Sequence, residues 1–205
     1  MINYADQLTE QFFQHQDLSG CNFRGIDLKS FDLSGVNLTG ADLRGANLSG
    51  SILVGANLSG ANLTGANLSE ANLTNAVLSQ ANLCGAFLWR SQLNYTHLWG
   101  ASLCTADLTA ADLTGAKLVE ASLIEAILVR ANLTGAMLCG ATLVEADLTN
   151  ANLTGADMTW ANLTAANLNQ AQLSQTNLTY AKLHNTIMSD GTIKYPEIFF
   201  LGVRE

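Results

Sequence analysis

Every fifth residue from Leu18 to Met188 is large and apolar, 35 positions in unbroken succession, all of them Leu except Phe23, Met158 and Met188. Two residues before each of these centres stands Ala in 25 repeats, and one residue before stands Asn or Asp in 21. The residue after the centre is usually Ser or Thr, as in Ala61-Asn62-Leu63-Thr64-Gly65. Of the 17 Gly, 15 fall two residues after a centre. No charge run or linker breaks the series, so the repeats form one domain.

A period of five suits neither regular element. On an α-helix five residues advance the side chain by ~500°, which smears the Leu around the axis. On a straight strand five is odd, so successive Leu would alternate between faces. Ala and Leu two residues apart do share one side of an extended segment. The arrangement that gathers them all is a short extended piece per repeat followed by a turn. Wound up, these pieces make a parallel β-solenoid whose coils bury a core only by stacking on one another. Gly after the centre fits the φ > 0 position of a type II turn. Nine of the ten such slots from Gly20 to Gly65 are Gly, against six of the next 25. Type II turns are therefore expected early, and bulky later residues such as Arg90, Tyr95 and Trp160 are expected to select turns that avoid φ > 0.

The tandem Ala-(Asp/Asn)-Leu-x-x unit resembles the pentapeptide-repeat proteins, bacterial and especially cyanobacterial members among them, over residues 16–190. The resemblance implies an all-β fold, a right-handed quadrilateral parallel β-helix with about four pentapeptides, twenty residues, per coil. Many members have no assigned activity; some protect or inhibit DNA gyrase by imitating duplex DNA, and others regulate through protein contacts.

Both ends depart from the repeat. Tyr4, Leu8 and Phe12 at spacing four predict a short capping helix over residues 1–15, begun by Asn3. Ser189-Asp190-Gly191 is a turn signal, and residues 191–205, with Ile198, Phe199, Phe200 and Leu201, read either as a C-terminal cap or as a dimer interface.

Composition narrows the function. Nine Lys+Arg against 17 Asp+Glu leave a net charge of −8, which excludes direct nucleic-acid binding through a basic surface. No apolar run reaches the ~18 residues of a membrane span. The N-terminus lacks the pattern of a secretory signal, so a cytoplasmic location is expected. His15, His97 and His184 lie several coils apart and form no catalytic grouping. Cys84 and Cys104 fall one coil apart in the same slot, within disulfide reach, though a reducing compartment favours free thiols. No catalytic residue, metal or cofactor site is expected. About nine coils span ~42 Å, along which duplex DNA carries ~25 charges; a net −8 spread over all sides is a weak imitation.

A different departure marks the middle. Between residues 76 and 145 the outward slots lose Asn, Ser and Thr and gain large apolar side chains. Trp89, Trp99, Val119, Ile124, Cys139 and Val144, with Glu120, Glu125, Glu145 and Arg130 around them, form the candidate protein-interaction surface. The functional expectation is a non-catalytic interaction scaffold for an unidentified protein partner, or for a second copy in a homodimer. Imitation of DNA toward a topoisomerase is the alternative. For stability, Leu113 is expected in the core, and Thr114 is expected to accept Ala at little cost.

Overall fold

The computed structural model describes residues 17–194. The predicted helix over 1–15 and the segment with Ile198, Phe199, Phe200 and Leu201 lie outside them.

Each repeat contributes one bridging residue, the one before the centre, and it pairs in parallel with the residue twenty positions on. Asp17 pairs with Asn37, Asn22 with Asp42, Asp27 with Asn47 and Asp32 with Ile52, and the series continues to Asn167 with Ile187. A coil is therefore four repeats, one on each of four sides. Side 1 carries the centres Leu18, Leu38 and onward to Leu178; side 2 runs from Phe23 to Leu183, side 3 from Leu28 to Met188, and side 4 from Leu33 to Leu173.

Why the chain closes this way is clearest from the backbone donors of one pentapeptide. The centre N–H donates to the next coil, as Leu58 does to the Val77 carbonyl at 2.7 Å. The N–H two residues later does the same, Gly60 to Ser79 at 2.9 Å, while the N–H before the centre donates backwards, Asn57 to Val36. Ala61 N–H closes the turn on the Leu58 carbonyl at 3.0 Å. The fifth donor, on the residue after the centre, is met by a side chain: Ser59 N–H donates to Asn57 Oδ1 at 3.1 Å. Every N–H of this unit is thus satisfied, as an interior backbone requires, and the Asn/Asp slot is part of the ladder's hydrogen bonding rather than surface decoration.

The centres fill the interior. Leu28 to Leu168 and Met158 are essentially inaccessible, with the Ala two residues earlier packed beside them. Where the Ala slot is polar, the hydroxyl turns onto a backbone carbonyl: Ser51 Oγ to Leu48 at 2.7 Å, Ser91 Oγ to Leu88 at 2.8 Å, Thr96 Oγ1 to Leu73 at 2.9 Å, Thr186 Oγ1 to Leu163 at 2.7 Å. Among the described residues no buried side-chain N or O lacks a partner.

The turns overrule one expectation. Arg90 (φ 54°), Tyr95 (57°) and Trp160 (63°) occupy the left-handed region just as Gly60 (64°) does, and they are three of 19 non-glycine residues there among the described residues. From Gly20 to Asn185 the residue two after each centre holds φ > 0 whether or not it is Gly. Only the last turn, Met188 to Gly191, moves the positive φ on to Gly191. The ladder bonds above and below each corner fix the backbone, and they outweigh a left-handed cost of about 1–2 kcal/mol per residue. Gly in the early coils is therefore a preference of the sequence and not a requirement of those turns.

At the C-terminal end the turn signal is real. β1 (Thr186–Ile187) and β2 (Ile193–Lys194) form an antiparallel hairpin, Thr186 opposite Lys194 and Ile187 opposite Ile193. Gly191 supplies φ 81° in the connection, its N–H reaches the Met188 carbonyl at 2.9 Å, and Asp190 Oδ1 accepts from Thr192 N–H. Because Ile187 also bridges to Asn167, β2 lies along the last turn of side 3 and covers its edge.

Candidate interaction surface

The outward residues of each side form columns that step by twenty. In the early coils the slot before the centre holds Asp or Asn, and both do the same work. Asp32 Oδ1 accepts from Ser34 N–H and Oγ (3.0 and 2.6 Å), and Asn37 Oδ1 from Thr39 N–H and Oγ1 (3.2 and 2.6 Å). Neighbouring coils are then laced together, as by Asn132 Nδ2 to Thr114 Oγ1 at 2.8 Å.

These bonds hold carboxylates charged. Hydrogen bonds from Ser19 and Ser34 lower Asp17 and Asp32. The Arg44 guanidinium, 2.5 Å away, brings Asp42 down to about 2. Burial pushes Asp112 up, but bonds from Thr114, Asn94 and Asn132 outweigh it and leave the group lowered. The Asp residues stand on all four sides in this hydrogen-bonding role, and Glu125 and Glu145 share one corner column.

In the middle coils the slot changes character. Val77, Phe87, Ile127 and Met137 have no acceptor to offer the N–H two residues on, so these repeats forgo the bond. Phe87 is 54% exposed and Met137 44%. On side 1 Trp99, Val119 and Cys139 form one column, Trp99 exposed and the other two half-buried. Beside it runs Val77, His97, Lys117 and Met137, where Lys117 Nζ donates to His97 Nε2 at 3.1 Å. Across the next corner, on side 2, Ile124 and Val144 continue a column begun by Cys84 and Cys104, all half-buried. Glu120 sits exposed on the corner between sides 1 and 2, and Glu125, Glu145 and Arg130 on later corners.

Trp89 does not belong with these. It stands ten residues, half a coil, from Trp99 and therefore on side 3, facing the opposite way, with the Arg90 guanidinium 4.3 Å from its ring centroid. The two Trp therefore stand on opposite sides of the coil rather than in one column.

Two aromatic residues outside the expected set form their own feature. Trp160 and Tyr180 stack on the corner after side 1, 4.4 Å between centroids. Counting by twenty along the slot after next from the centre would have found them.

Among the described residues no three His, Cys, Asp or Glu come together as a metal site, and no helix is long and apolar enough to cross a membrane.

Residues 17–53, 51–90, 90–123, 116–155 and 156–191 match the family model for pentapeptide repeats, in eight copies. The chain belongs to the pentapeptide-repeat family. This pentapeptide-repeat protein is 34% identical to HetL, a pentapeptide repeat protein involved in heterocyst differentiation regulation from the cyanobacterium Nostoc sp. strain PCC 7120, covering 85% of this chain and 92% of that one at a TM-score of 0.39. It is 17% identical to trypsin-treated QnrB1, a plasmid-mediated fluoroquinolone resistance protein, over 82% and 92% of the chains at a TM-score of 0.67. A pentapeptide repeat protein of the Arabidopsis thaliana thylakoid lumen is 36% identical over 51% of this chain and 70% of that one, TM-score 0.36. Curated proteins gave no match. Family membership and the QnrB1 likeness carry the right-handed β-helix as the fold.

Proposed function

We propose that this pentapeptide-repeat protein is a non-catalytic scaffold of the cytoplasm that binds a partner protein through sides 1 and 2 of its middle coils. The observation that carries this reading is the loss of the Asn/Asp and Ser/Thr pattern in adjoining columns. Trp99, Val119 and Cys139 on one side adjoin Ile124 and Val144 on the next, across the corner that carries Glu120. A repeat that gives up its side-chain cap to present an apolar residue to water loses stability unless something covers that residue. Trp99, at 48% exposure, is the anchor such a contact would use.

The test is affinity capture from extract of the source cells with wild type, Trp99→Ala and Trp89→Ala, alongside a melt of each. The reading expects one specific partner protein, kept by Trp89→Ala and weakened roughly tenfold or more by Trp99→Ala, a loss of at least ~1.4 kcal/mol. Unchanged capture by Trp99→Ala together with a lower melting temperature would assign Trp99 to cladding of the rod instead. The DNA-imitating alternative draws support only from the net charge of −8. Its separate test is DNA gyrase supercoiling with and without the protein.

A further inference from the structure

Side 2 carries a chain of sulfur and hydroxyl groups that the ladder alone does not require. Cys84 Sγ lies 3.0 Å from Ser102 Oγ, Ser102 Oγ 3.5 Å from Cys104 Sγ, and Cys104 Sγ 3.2 Å from Ser122 Oγ. The two cysteines occupy the same outward slot on adjacent coils, since Asn82 bridges in register to Ser102. Parallel neighbours in register hold their Cα atoms ~4.8 Å apart, inside the span a disulfide accepts. Both thiols are free and half-buried. Cys21 is three coils away and Cys139 lies on side 1, nearly two coils on, so neither competes for the pair.

We propose that Cys84 and Cys104 are a peroxide-oxidisable dithiol that closes into a disulfide clamping two successive coils. Burial pushes the Cys104 thiol up, but hydrogen bonds from Ser122, Ser102 and Cys84 and from the Ile124 backbone outweigh it and leave the thiol lowered. The thiolate is the nucleophile of this chemistry. Cys104 thiolate attacks one oxygen of hydrogen peroxide; the O–O bond breaks, hydroxide leaves and takes up a proton to become water, and Cys104 becomes a sulfenic acid. Cys84, giving up its proton, attacks that sulfur. The S–O bond breaks, a second water leaves and the S–S bond forms. Two thiols and one peroxide thus yield one disulfide and two waters. Thiol reductants reopen the bond by thiol–disulfide exchange. This inference is independent of any partner protein.

Trypsin cuts after Arg44, Arg90 and Lys117, which puts Cys84 and Cys104 on separate peptides, 45–90 and 91–117. The protein is exposed to peroxide, alkylated, unfolded and digested for mass spectrometry, with thiols counted in parallel. The count should fall from four to two, with peptides 45–90 and 91–117 joined within one chain and released by dithiothreitol. Cys84→Ser and Cys104→Ser should each abolish the joined peptides with the circular dichroism of the fold unchanged. A Cys21→Ser/Cys139→Ser double variant should still form them, which tests the pair without altering it. Four thiols after treatment, oxidation of Cys104 without linkage, or joined peptides found only in a covalent dimer would each overturn the proposal.

Discussion

Trp160 and Tyr180 stack with their planes 23° from parallel although twenty residues separate them in the chain. One coil raises a residue by ~4.8 Å, close to the separation that offset aromatic rings prefer. Both residues hold left-handed backbone, φ 63° and 60°. The stack offsets part of the conformational cost of placing large side chains there.

A double-mutant cycle tests that relationship. Tyr180→Ala should cost about 0.5–1.5 kcal/mol beyond its lost area, and the Trp160→Ala/Tyr180→Ala pair should cost less than the sum of the single changes. Denaturant melts provide all three values. Strict additivity would show two independent surface rings.

The uniform turns make glycine substitutions run both ways. Ala165 holds φ 57°, and Ala165→Gly should stabilise by up to about 1 kcal/mol, the left-handed cost relieved less the entropy that Gly loses. Gly115→Ala and Gly135→Ala should both destabilise. The first should cost more, because a Cβ at Gly115 meets the Tyr95 ring at 2.7 Å while Gly135 has open space. In a Tyr95→Ala background the difference between the two should vanish. Thermal melts of the five variants check the order.

Leu113 lies wholly inside the rod, so Leu113→Ala should cost roughly 2–5 kcal/mol through a cavity that the ladder-held backbone closes poorly. Thr114 departs from its expected neutrality. Its Oγ1 donates to Asp112 at 2.6 Å and accepts from Asn132 Nδ2 at 2.8 Å, and Thr114→Ala should cost about 1 kcal/mol. Urea midpoints of the two variants should separate them clearly.

Acid should weaken the fold through the Asn/Asp slot. The folded Asp42 titrates at about 2, mainly through the Arg44 bond, against ~3.9 in an unfolded chain. A lowered folded value stabilises above the unfolded pKa, and that contribution disappears as pH falls from about 4 through about 2. Asp17, Asp32, Asp112 and Asp190 shift in the same direction. Carboxyl-carbon NMR should show Asp42 titrating nearer its ordinary value in Arg44→Ala, and an unchanged titration would remove Arg44 as the cause.

Most of the architecture is legible in the repeat because inward slots answer to one demand, burial. The Leu series gives the core, and the polar exceptions Ser51 and Thr96 are tolerated there since a nearby carbonyl accepts their hydroxyls. Arg90 and Trp160 mislead because local φ preference is a weak term against ladder bonds on both sides of the corner. The opposition of Trp89 and Trp99 and the stacking of Trp160 on Tyr180 follow from counting ten and twenty once four repeats make a coil. The role of Asn57 in holding the Ser59 N–H is not visible from composition, where Asn reads simply as polar.

The four-sided coil also sets how such a rod changes over time. Inserting four repeats lengthens it by one coil and leaves every column aligned. Inserting a single repeat preserves the core just as well, since each unit brings its own Ala and Leu, yet it turns everything downstream by about a quarter revolution. A five-residue insertion after Trp99 would move Val119 and Cys139 out of its column, and one after Gly140 would carry Trp160 and Tyr180 to a different corner. In this fold, lengthening the gene by fifteen bases re-addresses a surface without asking the interior for any new solution.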